Sequence, residues 1–236
     1  MNQDGDLILA NLRAVDAERQ RRAEDAGLGA RVERVKHFQQ ARFERTYADL
    51  LAQPAYAAVT RFFLDELYGP HDFTERDAQF ARIVPALGRL FPAEIIGTVS
   101  LLGELHALSE RLDSRMAEVI EAGPLDAQGY AQAWRTVGEP AMRSRQVDLS
   151  LQVGAALKRY TRNPLLRHTL RLMRGPAQAA GLGALQRFLE SGFDTFRGLR
   201  DPATFLDTLG QRENAFAVAL FQGRPVPDLG DAPTPP

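Results

Sequence analysis

The segment from Phe62 to Asp77 ends one helix and begins another, and residue chemistry specifies both ends. Gly69 can adopt the left-handed conformation that ends a helix, and Pro70 prevents the helix from continuing. Thr74 and Asp77 stand three positions apart, the spacing at which two side chains cap the first turn of the next helix. A chain with this junction is predicted to fold as helices joined by turns.

Helical periodicity continues along the chain. Apolar residues recur three or four positions apart, most regularly from Leu182 to Leu199. Asp126, Pro140 and Asp201 are residue types that begin helices. No segment has the alternating, β-branched pattern of a strand. We therefore expect an all-α, single-domain bundle of about eight to ten helices over residues 1–223.

Glycine and proline set several of the expected helix boundaries. Gly27 and Gly29 are expected to separate the first two helices, and Pro54 to begin the third. Pro85 is expected to bend or end its helix, and Gly175–Pro176 to end another.

The two ends of the chain carry further signals. Residues 224–236 contain five prolines and no aromatic residue, which predicts a disordered Pro-rich tail. Residues 1–6 contain two acids and no basic residue, whereas a secretion signal begins with positive charge. The longest uncharged apolar stretch, Ile95–Gly103, is about half as long as a membrane-spanning helix. We expect a cytoplasmic protein that does not enter a membrane.

Composition and charge exclude several classes of function. The absence of cysteine excludes disulfides, thiolate catalysis and cysteine-ligated clusters. The net charge of -1 provides no overall field that would attract nucleic acid. Residues 141–175 nevertheless carry eight basic residues and one acid, whereas residues 62–121 carry eleven acids and five arginines. We expect the two regions to neutralise each other. A basic face open to an anionic ligand, RNA or an acidic partner is the alternative, and RNA is disfavoured because Tyr160 is the one aromatic residue there.

Common catalytic signatures are absent from the sequence. There is no glycine-rich nucleotide loop, no serine nucleophile elbow and no His-Glu-x-x-His zinc motif. None of the four histidines follows a glutamate at the three-residue spacing of di-iron carboxylate bundles. We therefore expect no metal centre and assign no catalytic residue.

Polar residues cluster around the helix junction. His71 and Asp72 lie in the turn, Tyr68 precedes them, and Arg76 and Asp77 follow. One interpretation is a carboxylate-rich ligand site with an imidazole at its mouth. The other, which we favour, is a junction whose acids cap backbone amides. If a ligand binds here, these five residues form its groove.

His106 is the most informative of the four histidines. It continues the apolar row of Ile95, Val99 and Leu102 at the point where the row becomes polar. In an all-α bundle, a histidine placed this way can be an axial haem ligand. The interpretation that we favour is a histidine at the edge of the core, hydrogen-bonded to a carboxylate or a carbonyl.

Three segments carry a family resemblance. They are the motif FFxxxLYGPxDFxxRD at residues 62–77, ELHALS at residues 104–109 and LQxFLExGF at residues 185–193. Together they resemble a group of uncharacterised bacterial all-helical proteins. The resemblance implies a helical fold over most of the chain, and it implies no activity, ligand or site.

The sequence thus predicts a cytoplasmic, non-catalytic helical module that binds a partner protein or a small ligand in a groove near residues 68–77. Two alternatives remain open. One is a globin-like binder of haem or another tetrapyrrole that uses His106. The other is an enzyme in which His71 or His106 forms an acid–base pair with Asp72 or Asp113.

Overall fold

The structure is a computed structural model that describes residues 3–66, 73–90, 92–121 and 123–230. Over these ranges the chain forms α-helices and one short 3₁₀ turn, without a strand, which confirms the predicted all-α class. The helices are α1 (Gln3–Glu24), α2 (Ala26–Thr46), α3 (Ala48–Leu51), α4 (Ala57–Glu66), α5 (Thr74–Leu90), α6 (Ala93–Val119), α7 (Ala127–Val137), α8 (Pro140–Tyr160), α9 (Pro164–Leu172), α10 (Arg174–Ala179), α11 (Gly183–Gly198) and α12 (Pro202–Phe221), and the 3₁₀ turn is Pro227–Leu229. The short helices α3 and α10 bring the number in the described ranges above the predicted eight to ten.

Aspartate side chains begin several helices. The Asp126 carboxylate accepts the backbone N–H of Gly129 at 2.7 Å, and α7 begins at the next residue. Asp201 likewise accepts from the backbone N–H of Thr204 at 3.1 Å and precedes α12. These caps satisfy N–H groups that the first helical turn leaves without partners. The starts predicted for α7, α8 and α12 are confirmed.

Two expected boundaries are wrong near the N-terminal end. The break between α1 and α2 falls at Asp25, whose carboxylate accepts the backbone N–H of Leu28 at 3.0 Å. Gly27 and Gly29 lie inside the first turn of α2, because the aspartate cap outweighs the low helix propensity of glycine. Pro54 does not begin a helix: the backbone N–H of Ala57 bonds the carbonyl of Gln53 at 2.8 Å, and this turn precedes α4.

Two other prolines do not end helices. Pro85 lies inside α5, where its neighbour Val84 is buried in a cluster with Ile8 and Ile96. Tertiary packing of this kind overrides local propensity. Pro176 lies in the first turn of α10, where proline is tolerated because its missing N–H would have no helical partner. The preceding helix, α9, already ends at Leu172.

Helix α6 occupies the centre of the fold. It packs against α1, α2, α7 and α8, while α8 packs against α12 and α11 packs against α4 and α5. One aromatic cluster surrounds Trp134 and Phe216, and another joins Phe63 to Phe196 and Phe205. The space between α5, α6 and α11 is filled less completely, and the candidate site lies there. Within the described ranges, no helix combines the length and the apolar composition needed to cross a membrane.

Part of the predicted tail contacts the helices. Leu229 is buried in the same cluster as Val35 and Phe38. The Arg45 guanidinium donates to the carbonyl oxygens of Asp228, at 2.8 Å, and of Leu229. Residues 231–236 of the predicted tail lie outside the described residues.

Three of the eight basic residues in segment 141–175 form ion pairs with described acids. Arg145 makes a two-pronged pair with Glu104 of the acidic region, with both N–O distances 2.7 Å. Arg167 and Arg174 instead pair with Asp194 and Glu190 of α11.

Candidate functional site

The structure describes two of the five residues expected to form a groove at the helix junction. Tyr68, His71 and Asp72 lie outside the described residues. Arg76 and Asp77 lie in the first turn of α5, and both line a cavity together with His106.

This central cavity has a volume of about 90 Å³. It is lined by Leu12, Lys36, Gln39, Glu66, Phe73, Arg76, Asp77, Phe80, Val99, Leu102, Gly103, Leu105, His106, Ser109, Glu110, Asp113, Gln146, Leu185, Phe188 and Leu189. Because about 10–15 Å³ suffices for one water molecule, there is room for several waters or a small organic molecule.

Asp77 connects three basic side chains at one end of the central cavity. Its Oδ2 atom lies 2.7 Å from His106 Nε2 and accepts a hydrogen bond of the same length from Arg19 Nη2. Oδ1 accepts from Arg76 Nε at 3.3 Å. Burial raises the pKa of Asp77, but the hydrogen bond and charge of His106, with those of Arg76 and Arg19, outweigh burial and lower it to about 2. The carboxylate is thus ionised and holds the imidazole in a fixed orientation.

Arg76 lies between two aromatic rings. Its guanidinium carbon is 3.9 Å from the ring centroid of Phe73 and 4.6 Å from that of Phe188. A second acid, Glu66, lies 3.6 Å from the guanidinium. Burial lowers the pKa of Arg76 despite the opposing attraction of Asp77 and Glu66. Arg76 therefore joins α4, α5 and α11 by stacking as well as by charge.

A second charged cluster surrounds Glu110, one turn beyond His106 on α6. The carboxylate accepts from Lys36 Nζ at 2.6 Å and pairs with Arg22. Arg22 also donates to Ser114 Oγ at 2.8 Å. Burial raises the pKa of Glu110, but Lys36 and Arg22 outweigh burial and lower it to about 2. This cluster joins α1, α2 and α6.

Asp113 lies in a different environment from the other buried acids. It is 6% exposed and lines the central cavity. Its Oδ1 accepts a hydrogen bond of 3.0 Å from the Gln39 amide. Asp77, Glu110 and Glu213 each have an ion-pair partner, whereas no described cation lies within 4 Å of Asp113. Burial raises the pKa of Asp113, although Lys36 attracts the ionised form.

Apolar side chains also line the central cavity. They are Leu102 of α6, Phe80 of α5, and Leu185, Phe188 and Leu189 of α11, here called the apolar wall. A molecule in the cavity would therefore contact both hydrocarbon and ionisable groups. Among the described residues, no three His, Asp or Glu side chains are grouped so that they could hold a metal ion.

The periodicity of α6 contains the signal for part of this site. His106, Ser109, Glu110 and Asp113 form the polar continuation of an apolar row, and all four line the central cavity. The sequence does not single out Lys36, Gln39 or Arg22 as site residues. They lie on α1 and α2, where charged residues occur along the whole of each helix. Asp77 was predicted as a capping residue, whereas its carboxylate binds side chains of α1 and α6.

The fold and the site together define the class: a single-domain, all-α protein with a cavity that is lined by both apolar and ionisable side chains. The model of the family described as "Domain of unknown function (DUF8198)" matches residues 18–227, and the chain belongs to this family. Neither the curated proteins nor the solved structures contain a match to the chain.

Proposed function

We propose that the protein is a non-catalytic binding module of the bacterial cytoplasm that holds a small molecule with an apolar body and an amine head in the central cavity. The observation that carries the proposal is Asp113, a buried carboxylate that lines the cavity without a described cation beside it. An ionised carboxylate in such a place is destabilised until an opposite charge compensates it.

Charge in the cavity favours a cationic head. Four acids line it, namely Glu66, Asp77, Glu110 and Asp113, against the two cations Lys36 and Arg76. Three of the acids already bind these cations or the arginines behind them. An ammonium group can therefore donate to Asp113 without displacing an existing pair, and Ser109 lies on the same helix one turn away.

The apolar wall favours a ligand with a hydrocarbon body. Leu102, Phe80 and Phe188 present side chains that gain free energy when hydrocarbon replaces water beside them, by roughly 25 cal/mol per Å². The enclosed position of Asp113 favours a small ligand over a partner protein, because a protein surface cannot reach a residue that is 6% exposed.

Titration calorimetry with simple amines tests the proposal. Butylamine, hexylamine and octylamine are compared with hexanol and hexanoate, which have the same kind of body and a different head. We expect the amines to bind and the other two probes to bind at least tenfold more weakly. Asp113→Asn should weaken amine binding by about tenfold or more, because it keeps the shape and removes the charge.

Asp148→Asn is the matched control, because Asp148 is an exposed acid of α8. The Asp148→Asn variant should bind the amines with the same affinity as the wild type. Three results would each contradict the proposal. The wild type could bind hexylamine, hexanol and hexanoate with equal affinity, Asp113→Asn could bind the amines as tightly as the wild type, or no amine could give a heat of binding.

A second candidate is an enzyme with an acid–base pair. It is favoured by the distance of 2.7 Å between His106 Nε2 and Asp77 Oδ2, since a carboxylate that orients an imidazole is a common arrangement for a general base. Among the described residues, Asp77 is the acid that contacts His106, whereas His71 and Asp72 of the expected pairs lie outside the described residues. The test is hydrolysis of N-acyl hexylamine. This candidate would be favoured if the wild type hydrolyses the amide and His106→Gln does not, while both bind hexylamine equally. No turnover in the wild type would oppose it.

Haem binding through His106 has to compete with an existing hydrogen bond, because Nε2 is the atom that contacts Asp77. We expect haemin to give the same featureless spectrum with the wild type and with His106→Gln, which retains a hydrogen-bond donor of similar reach. A sharp Soret band at one-to-one stoichiometry that the folded variant lacks would establish the haem alternative.

A further inference from the structure

A second, smaller cavity lies behind the central one. This inner cavity has a volume of about 30 Å³ and is bounded by α2, α7, α8 and α12. Its polar lining includes Arg42, Trp134, Arg143 and Glu213. Because about 10–15 Å³ accommodates one water, the inner cavity can hold a pair of waters or one small ion.

Arg143 is buried in this wall without a matching acid. It is 3% exposed, and its guanidinium carbon lies 3.8 Å from the ring centroid of Trp134. Nη1 donates to Gln146 Oε1 at 3.3 Å, while Nε and Nη2 have no hydrogen-bond partner. Among the described residues, no carboxylate forms an ion pair with Arg143; Asp113 attracts it from further away.

Other donors in the same lining also lack partners. Trp134 Nε1 and Arg42 Nε are buried and unpaired, although Arg42 Nη1 donates to Glu213 at 2.6 Å. Two acceptor atoms of the lining are already in use, because Glu213 Oε1 also accepts from the Tyr47 hydroxyl at 3.0 Å and Gln146 Oε1 accepts from Arg143. The residues that line the inner cavity therefore carry several buried N–H donors without a partner.

A guanidinium remains charged in a protein interior, so the cost of burying it has to be compensated by an acceptor with negative charge. Water compensates it incompletely, because each molecule accepts two hydrogen bonds and must also donate two. A monatomic anion accepts from every donor around it and needs none in return. Burial lowers the pKa of Arg143, in keeping with an unbalanced positive charge.

We propose that the inner cavity is a binding site for one small monovalent anion of the size of chloride or bromide, with Arg143 supplying the opposite charge. Trp134 Nε1 and Arg42 Nε supply further donors. The proposal does not require the amine ligand proposed for the central cavity, although Gln39 and Gln146 line both cavities and Asp113 attracts Arg143.

The fluorescence of Trp134 reports on this site, because it is the one tryptophan in the chain and is 6% exposed. A heavy halide quenches indole fluorescence only in contact with it. Bromide titrated into the wild type at constant ionic strength, with gluconate as the balancing anion, should quench along a saturating curve. Chloride, which quenches weakly, should restore the fluorescence by competition.

Arg143→Met keeps the length of the side chain and removes the charge, and it should weaken bromide binding by more than about tenfold. The matched control is Arg145→Met, which removes a partly exposed arginine of the same helix that does not line the inner cavity. The quenching curve of this variant should equal that of the wild type.

Chloride should also raise the melting temperature of the wild type and of Arg145→Met, because a ligand that binds only the folded state stabilises it. A weak linear quenching curve that chloride does not relieve would overturn the proposal and indicate that water fills the cavity. If Arg143→Met fails to fold, saturation and competition in the wild type still decide between these outcomes.

Discussion

Asp77 shows how one residue can satisfy a sequence motif and serve another purpose. The spacing from Thr74 to Asp77 correctly predicts that a helix begins there. The Asp77 carboxylate nevertheless binds Arg19, His106 and Arg76, which a local motif cannot reveal because Arg19 lies 58 positions away. The position of the acid was predictable from local chemistry, and its role was not.

Asp77→Asn should lower the free energy of unfolding by about 2 kcal/mol at pH 7. The folded-state pKa of Asp77 is about 2, below its ordinary value of 3.8. The ionised carboxylate therefore stabilises the folded protein above about pH 4, and this contribution is lost as the pH falls towards 2. Urea denaturation at several pH values measures it, with Asp207→Asn, at an exposed position of α12, as control. A difference that persists unchanged at pH 2 would contradict the charge-based explanation.

Asp113 should have the opposite dependence on pH. Because burial raises its folded-state pKa, the protonated form favours folding, and this contribution is lost as the pH rises through the raised value. Asp113→Asn keeps an acceptor for Gln39 and cannot ionise. Without ligand, the stability of the wild type should fall relative to the variant as the pH rises above the ordinary pKa of an aspartate, as measured by urea denaturation. A relative gain by the wild type as the pH rises would show that Asp113 is compensated within the fold.

At the level of helices and turns, boundaries with a side-chain cap were the predictable ones. Asp126 and Asp201 begin helices because their carboxylates reach backbone N–H groups three residues ahead. Gly27 was misjudged because the cap at Asp25 is not visible in residue type alone. At Pro85 the expectation was a bend or an end, and the helix does not end there. Local chemistry determines where a helix can begin, whereas packing decides whether it continues.

The 3₁₀ turn at Pro227–Leu229 packs against the helices through the buried side chain of Leu229. Leu229→Ala should lower the free energy of unfolding by about 2 kcal/mol, because the side chain is 6% exposed. Leu165→Ala is the matched control, since Leu165 is 72% exposed and its loss should have little effect. Thermal denaturation of both variants, and of chains ending at Gly223 and Gly230, measures the contribution. Equal melting temperatures for the two truncated chains would show that the turn adds nothing.

At the scale of the whole molecule, the site is assembled from distant parts of the chain. Arg19, Asp77 and His106 come from three helices and contact one another, and Lys36 of a fourth helix binds Glu110 one turn beyond His106. Periodicity identifies which face of α6 is polar but does not specify which helices lie against that face. The all-α class was therefore predictable, whereas the cavity required the tertiary structure.

The central cavity has a mechanical consequence. A cavity of about 90 Å³ adds to the volume by which the protein shrinks on unfolding, because that volume scales with the internal space that unfolding eliminates. Hydrostatic pressure should therefore unfold this protein readily, with Trp134 fluorescence as the readout. Leu102→Phe places a larger side chain in the cavity and should reduce the volume change of unfolding. Leu165→Phe, at an exposed position, should leave that volume change unaltered. A protein with such a void responds to compression as well as to heat, and an occupant of the void would protect it from compression.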